Sequence, residues 1–477
     1  MIILVFFFAF ILRLINLDQS FWLDEAAQYF ESQAPLTKQW YLPATFHPPL
    51  FHYLTNFWVR FFDRNEVSLR LLPVSLSLFS IIVSYYLAKT IFPKKKLIPT
   101  LTAALLATSP LHLYYSQEFR PYILSVLIAE VSTLYFVKFI NSKKNISLGY
   151  IITSVLSLYA LYSLVFLILS QFFTTLFLYR KKIISLFKNQ LIIVIFFVPW
   201  LPFLFVQLKN GIALVSDLPG WGNAVSTPLL KSFPLIFIKF CLGPIRPTSN
   251  ANYFFLSLLL FFFFCLLTIK VYQSKNRKNF SWLIFNLGLP LLLAAVVSLY
   301  VPIISPKRML FLLPLFYLLI SLGINSIKTR KLKSAAIILV LSFNLSSLVT
   351  YYQNPRFQRE NWKDAVKEVE EKSTPQTLIV FNFPEPFAPF RFYESQKNDT
   401  FGVVKNFQFD QESTKILISK TQNKNHVFLF DYLSGLTDAQ RKSKKTLENL
   451  GFINIQTYDF NGVGFIFEFI KINSAQK

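Results

Sequence analysis

Residues 252–270 read NYFFLSLLLFFFFCLLTIK, a nearly unbroken apolar run whose only charged residue is Lys270 at its end. An α-helix needs ~20 mainly apolar residues to cross the hydrocarbon core of a bilayer. Similar runs recur, and we interpret them as spans near 1–17, 69–92, 97–114, 121–140, 147–162, 163–179, 191–207, 252–270, 281–302, 309–326 and 334–352. The sequence predicts a multi-pass α-helical membrane protein with about 11 transmembrane helices.

Composition supports this class. Of all residues, 53% are hydrophobic and only 15% are charged, whereas an ordinary soluble domain carries about 25% charged residues. Most of the net charge of +24 lies in alternate loops, and the positive-inside rule predicts that those loops face the cytoplasm. The other loops then face outward from a plasma or inner membrane. A nucleic-acid partner is excluded because no basic face clusters on a soluble domain.

Hydrophobicity falls and charge rises near Pro355, which divides the chain into a membrane domain, 1–352, and a tail, 353–477. The pattern predicts that the tail is a small extracytoplasmic α/β domain. Its predicted elements are a helix at 361–372, strands at 377–383 and 427–432, a helix capped by Thr437 and ending at Leu450, and a hairpin of 453–460 and 463–470 that turns at Asn461-Gly462.

Acidic residues are scarce in the membrane domain. Between Val67 and Gln353 they are only Glu118, Glu130 and Asp217. Glu130 falls in the middle of a predicted span, where an unpaired carboxylate costs several kcal/mol. A proton relay needs a chain of such groups and Glu130 stands alone, so we favour a neutral or hydrogen-bonded structural role.

The first outer loop, 18–68, contains the adjacent carboxylates Asp24 and Glu25 just after the first span. One of them can act as a general base while the other orients it or binds a polar group. The alternative is a helix N-terminus with Asp24 near the cap, where the helix dipole favours both acids. Locally the two interpretations are equally good.

Several basic residues lie at the predicted outer interface, where the positive-inside rule predicts few of them, so their presence requires an explanation. Arg70 and Arg120 begin two spans, and Lys307 and Arg308 precede another. Each alone is explained by snorkelling to lipid headgroups. Together, such side chains can hold a phosphate by charge-assisted hydrogen bonds. Beside the two carboxylates they favour a site for an anionic, lipid-linked substrate.

Several motifs in order carry a family resemblance: Trp22-x-Asp24-Glu25, His47-Pro48-Pro49-Leu50, Arg70-Leu71-Leu72-Pro73, Ser109-Pro110, Tyr115-Ser116-Gln117-Glu118-x-Arg120-Pro121-Tyr122, and Arg308 before a Leu-rich span. The chain resembles the GT-C superfamily of membrane glycosyltransferases. It is most similar to glycosyltransferase family 39, the bacterial relatives of the protein O-mannosyltransferases and the lipid A aminoarabinose transferases. The resemblance covers roughly 1–352, and the tail more loosely.

The resemblance implies an inverting transferase that takes a sugar from a polyprenyl- or dolichyl-phosphate donor to a protein, lipid or glycan acceptor. Asp24 is then the base that deprotonates the acceptor hydroxyl, with Glu25 as its support. The implied substrate and lipid-phosphate contacts are His47, Arg70, Gln117, Glu118, Arg120, Tyr122, Lys307 and Arg308. No cofactor is required and no metal ligand is assigned, although a divalent ion at the two acids is compatible with the chemistry.

One motif departs from the family. Relatives often carry a His–Tyr pair where this chain has Tyr159-Ala160-Leu161-Tyr162, so Tyr159 and Tyr162 are the candidate replacements. Two other classes of function stay open. A transporter or flippase of lipid-linked sugars would use the same basic rim without chemistry, and a structural assembly factor would need none of these polar residues.

Overall fold

The computed structural model describes residues 1–42, 45–217, 228–247, 249–273, 277–384, 387–404 and 408–471. These fall into two compact units. The membrane unit contains residues 1–17 and most of 31–357, and the second unit contains residues 18–30 together with the chain from Gln358. The second unit therefore combines part of the first outer loop with the tail.

The helices up to Gln353 are α1 Ile2–Leu14, α2 Leu23–Ser32, α3 Leu50–Trp58, α4 Glu66–Ile91, α5 Leu97–Ala107, α6 Pro110–Ser116, α7 Tyr122–Ile140, α8 Leu148–Ala160, α9 Val165–Leu178, α10 Ile183–Phe197, α11 Leu201–Asp217, α12 Leu229–Leu242, α13 Asn250–Tyr272, α14 Arg277–Ser298, α15 Leu313–Ser326 and α16 Arg330–Gln353. Their positions agree with the predicted spans. The sequence prediction missed α3 and α12, and it had given the start of α2 only as an alternative interpretation of Asp24 and Glu25.

Six stretches of the described chain are long and apolar enough to cross a membrane, or seven if α5 and α6 form one bent span. Four shorter apolar helices occupy other predicted spans, at Ile2–Leu14, Leu148–Ala160, Tyr162–Leu178 and Leu310–Ser326. The membrane class predicted from the sequence agrees with these helices, and the number eleven stays a prediction.

A 56° bend separates α5 from α6. Proline cannot donate the hydrogen bond that continues a helix, so Pro110 begins a new one. Ser109 caps it, and its side-chain oxygen accepts from the backbone N–H of His112 at 3.4 Å. The motif Ser109-Pro110 therefore redirects the chain ahead of the loop that contains Glu118 and Arg120.

The tail folds around one sheet of strand order β2-β1-β3-β5-β4. Its elements are α17 Trp362–Lys372, β1 Thr377–Phe381, α18 Ala388–Tyr393, β2 Thr400–Gly402, α19 Gln411–Thr421, β3 His426–Phe430, α20 Ser434–Thr437, α21 Lys442–Asn449, β4 Phe452–Phe460 and β5 Gly464–Lys471. Strands β2, β1 and β3 are parallel, and β5 runs antiparallel to β3 and β4.

Both faces of the sheet are covered. Every residue of β1 is buried, as expected for a strand between two layers. Ile379 and Phe381 pack with Trp362 of α17, whereas Leu378 and Val380 pack with the residues on the other face. The alternation follows from the two-residue period of a strand.

The predicted α/β character, the first helix and the hairpin of the tail are confirmed. The predicted cap at Thr437 is wrong, because the helix begins at Lys442. The Asp438 carboxylate accepts from the backbone N–H groups of Lys442 at 2.8 Å and Ser443 at 2.9 Å. The Thr437 hydroxyl instead donates to the Asn382 carbonyl at 2.5 Å.

Candidate functional site

Asp24 and Glu25 both lie in the first turn of α2. The backbone N–H groups of Glu25 and Ala26 each donate to the Trp22 carbonyl at 3.1 Å, which closes this turn. Glu25 is fully buried and Asp24 is partly exposed. The structure therefore has the predicted helix N-terminus, with Asp24 in its first turn next to the cap position, where the helix dipole favours both acids.

The second unit holds this acidic segment by hydrogen bonds that the sequence did not predict. The Arg359 backbone N–H donates to Gln19 Oε1 at 2.8 Å, and the Lys363 N–H donates to Ser20 Oγ at 2.9 Å. Leu23, next to Asp24, packs against the hydrophobic cluster of the C-terminal domain. The partners are more than 300 residues apart in the chain, so no local pattern could reveal them.

In the membrane unit, Arg120 Nη2 lies 2.8 Å from His47 Nε2. A guanidinium group can only donate, so this imidazole nitrogen accepts and His47 is neutral. Burial lowers the pKa of His47 well below its ordinary value, and the nearby charges of Arg120, Lys307 and Arg308 lower it further. Several positive groups therefore converge around an uncharged imidazole.

Tyr122 joins this cluster from the start of α7. Lys307 Nζ lies 5.6 Å from the centre of the Tyr122 ring, and the His47 ring meets that ring edge-on at 6.2 Å. Burial lowers the pKa of the Arg308 guanidinium, whose Nη1 donates to the Pro302 carbonyl at 2.7 Å. The structure thus gathers five of the predicted residues into what we call the basic cluster: His47, Arg120, Tyr122, Lys307 and Arg308.

The loop between α6 and α7 is anchored by burial. Glu118 is 2% exposed, and its carbonyl accepts from the Arg120 N–H at 2.7 Å. Phe119 is completely buried and packs edge-on against Phe51 of α3 at 6.0 Å. Because α3 directly follows His47-Pro48-Pro49, this aromatic contact holds His47 and Arg120 in register.

Arg70 and Gln117 both donate hydrogen bonds to backbone carbonyls near the end of the first span. Arg70 Nη1 donates to the Leu17 carbonyl at 3.0 Å. Gln117 Nε2 donates to the carbonyls of Arg13 at 3.0 Å and Ile15 at 2.7 Å. These bonds satisfy backbone groups at the C-terminal end of α1. We therefore assign both side chains to holding the first span, and their predicted substrate contacts stay untested.

Tyr162, one of the two candidate replacements for the family's His–Tyr pair, connects to the basic cluster. Trp200 Nε1 donates to the Tyr162 hydroxyl at 2.9 Å, and that hydroxyl donates to Gln207 Oε1 at 2.5 Å. Gln207 Nε2 lies 3.5 Å from the His47 carbonyl. Tyr159 donates instead to a backbone carbonyl of α10. Sequence inspection did not identify Trp200 or Gln207.

A second polar group crosses the interior of the membrane unit. Arg13 Nη2 lies 2.9 Å from His112 Nδ1, and Ser80 Oγ lies 3.3 Å from His112 Nε2. Glu130 is hydrogen-bonded to Ser80 and to Ser84. The prediction of a hydrogen-bonded Glu130 is confirmed. The premise that it stands alone is wrong, because packing of α1, α4, α6 and α7 brings distant polar residues together.

Within the described part of the chain, no three or more His, Cys, Asp or Glu side chains are grouped so that they could hold a metal ion. The absence of a cofactor requirement stays a prediction.

The fold agrees with the folds of ArnT and of an archaeal oligosaccharyltransferase. The crystal structure of apo ArnT from Cupriavidus metallidurans matches with a TM-score of 0.60 and 11% identity, over 98% of this chain and 97% of that one. The structure of the same protein bound to undecaprenyl phosphate matches with a TM-score of 0.57 and 11% identity, over 99% and 97% of the two chains.

The oligosaccharyltransferase of Archaeoglobus fulgidus, in complex with Zn and sulfate, matches with a TM-score of 0.53 and 13% identity, over 98% of this chain and 73% of that one. These likenesses show the fold: the chain folds like ArnT and like this oligosaccharyltransferase.

Part of the sequence also matches a protein family. Residues 46–205 match the family described as dolichyl-phosphate-mannose-protein mannosyltransferase. The matched range includes His47, Arg120 and Tyr122 of the basic cluster. No curated protein matches the chain.

Proposed function

We propose that this protein transfers a sugar from a polyprenyl-phosphate donor to an acceptor hydroxyl on the extracytoplasmic face of the membrane. The basic cluster is the observation that carries this proposal. It gathers Arg120, Lys307 and Arg308 around neutral His47, within a fold shared with a protein crystallised with undecaprenyl phosphate.

The chemistry of the basic cluster suits a phosphate. Arg120 is only 9% exposed, so its charge is weakly screened, and a guanidinium offers five donors that can serve several acceptors at once. Lys307 adds a compact charge beside the Tyr122 ring. Such donors stabilise the charge that grows on the lipid phosphate as its bond to the sugar breaks.

Asp24 is the proposed base. Its carboxylate takes the proton of the acceptor hydroxyl while the acceptor oxygen bonds to the anomeric carbon. The bond from that carbon to the phosphate oxygen breaks, and the lipid phosphate leaves with the electron pair. A single displacement of this kind inverts the anomeric configuration. Glu25, buried in the same helical turn, is the proposed support.

The deciding experiment replaces Asp24 by Asn, with Asp18→Asn as the matched control. Asp18 is an exposed carboxylate of the same loop. Mass spectrometry of cell-envelope glycans, glycolipids and glycoproteins first identifies the sugar that disappears when the protein is deleted. Wild type and Asp18→Asn should restore that product, and Asp24→Asn should not, because loss of a base costs about 10²–10⁴-fold in rate.

Binding separates the chemistry from the lipid site. Asp24→Asn should still bind undecaprenyl phosphate in detergent, as measured by native mass spectrometry. If Asp24→Asn restores the glycan fully, the transferase assignment is wrong and the flippase alternative is favoured. If deletion of the protein changes no envelope glycan, both are contradicted.

A further inference from the structure

Helix α11 has two faces of different character. Trp200 directly precedes the helix, and Phe203 and Gln207 follow at intervals of three and four residues, so these side chains share one face. Trp200 and Gln207 are buried there. On the opposite face, Phe205 is 65% exposed and Ile212 is 56% exposed. The exposed apolar face favours contact with lipid, whereas the face with Trp200 packs within the membrane unit.

Four aromatic rings form a continuous group on and beside the packed face. The Trp40 ring meets the Trp200 ring edge-on at 5.2 Å. Phe203 lies 5.2 Å from Trp200 and 5.0 Å from Tyr41, measured between ring centres. Trp200 is buried, and the other three rings are only partly buried. We call Trp40, Tyr41, Trp200 and Phe203 the aromatic platform.

Hydrogen bonds join the aromatic platform to the basic cluster by two routes. The Tyr162 hydroxyl accepts from the buried indole of the platform at 2.9 Å and donates to Gln207 Oε1 at 2.5 Å. Gln207 Nε2 in turn lies 3.5 Å from the His47 carbonyl. The next residue in the chain, Ser163, donates its hydroxyl to the Arg308 carbonyl at 2.7 Å. The platform is therefore held beside two residues of the basic cluster.

A sugar ring matches this combination of groups. Its C–H bonds form an apolar face that packs on the negative face of an aromatic ring, while its hydroxyls need hydrogen-bond partners. A phenol oxygen can accept as well as donate, and a primary amide has two N–H donors, so Tyr162 and Gln207 can also serve sugar hydroxyls. An isoprenoid chain has no use for such polar groups.

We propose that the aromatic platform binds the sugar of the donor while the basic cluster binds its phosphate. One oxygen atom joins the two groups in a glycosyl phosphate, so their sites must be adjacent, as the bonds through Tyr162 and Ser163 make them. The platform then distinguishes the donor from the bare lipid phosphate that remains after transfer. This inference rests on the proposed function, because it extends the phosphate site to the sugar of the same donor.

Two probes separate the contribution of the sugar from that of the lipid phosphate. Undecaprenyl phosphate mannose and undecaprenyl phosphate are each titrated against the full-length protein in detergent, and native mass spectrometry measures Kd. Wild type should bind the mannosyl lipid more tightly. Phe203→Ala should weaken that binding by about threefold to tenfold, while the affinity for undecaprenyl phosphate should change by less than about twofold.

Phe205→Ala is the matched control, because it removes the same ring from the exposed face of the same helix. It should leave the preference for the mannosyl lipid unchanged. Trp40→Ala should act like Phe203→Ala, and Trp40→Phe should keep most of the affinity because a ring remains. Both platform side chains are partly exposed, so folding should be retained, and thermal unfolding checks each variant.

The results that overturn the inference differ from those that overturn the proposed function. Equal binding of the two lipids by wild type, or a preference that Phe203→Ala and Trp40→Ala leave unchanged, would overturn the inference alone. An equal loss for both lipids in these variants would indicate a contact to the lipid chain or a structural role, and would also overturn it. A wild type that binds neither lipid would contradict the proposed function and the inference together.

Discussion

Replacing Arg120 by Ala should weaken the binding of undecaprenyl phosphate. In the structure, this guanidinium is nearly buried and donates to neutral His47 at 2.8 Å. A hydrogen bond from a charged donor contributes about 1.5–3 kcal/mol. Because 1.4 kcal/mol corresponds to a tenfold change in Kd, we expect the affinity to fall by about tenfold to 150-fold.

Titration of purified protein in detergent with undecaprenyl phosphate, followed by native mass spectrometry, measures this change. Arg60→Ala is the matched control, because Arg60 is an exposed arginine that follows α3. Arg120→Lys should recover only part of the affinity, since lysine keeps the charge but lacks the planar fork that serves His47 and an anion together.

A double-mutant cycle tests the geometry. Once Arg120 is absent, His47→Ala should have little further effect on affinity, because His47 acts by orienting the guanidinium. Affinity of Arg120→Ala within twofold of wild type, with unchanged thermal unfolding, would refute the assignment of the basic cluster to phosphate binding.

Two further predictions concern stability. Arg13→Ala should destabilise the membrane unit by about 1–3 kcal/mol, since it leaves buried groups of Ser77, His112 and two carbonyls without their donor. A thiol-reactive dye can follow unfolding through the free thiols of Cys241 and Cys265, and a loss below about 1 kcal/mol would contradict the prediction. Burial, with Arg120 nearby, lowers the pKa of His52 to about 3, so the unfolded chain binds a proton that the folded one does not. The contribution of neutral His52 to the free energy of unfolding should therefore be fully present above pH ~6.5. Below that pH the free energy of unfolding should fall by up to about 1.4 kcal/mol per pH unit, and His52→Gln should reduce this pH dependence in chemical unfolding.

The sequence predicted the apolar spans and most elements of the tail because each depends on a local pattern. Apolar runs of sufficient length predict spans, and a two-residue alternation with Asn461-Gly462 predicts the β4–β5 hairpin. The short helix α3 was missed because it has only nine residues, fewer than a membrane span needs. The cap at Thr437 was misplaced because Asp438, and not Thr437, accepts from the backbone N–H groups at the start of that helix.

The candidate site was predictable only in part. The family resemblance identified His47, Arg120, Tyr122, Lys307 and Arg308, and the structure brings them together. It could not distinguish them from Gln117, whose amide is used on backbone carbonyls. Trp200 and Gln207 lack a motif, so only their contacts revealed them.

By itself, the sequence determined that this chain enters a membrane, because the free energy of transferring a helix into lipid is a sum over consecutive residues. It also determined which residue types are available for chemistry. Only the tertiary structure decided which of these residues contact one another. Arg13 reaches His112, and Lys363 donates to Ser20 in the segment of Asp24, because packing joins residues that lie about 100 and more than 300 positions apart. The electrostatic interaction between two groups weakens with the distance between them in space, and their separation along the chain does not reveal that distance.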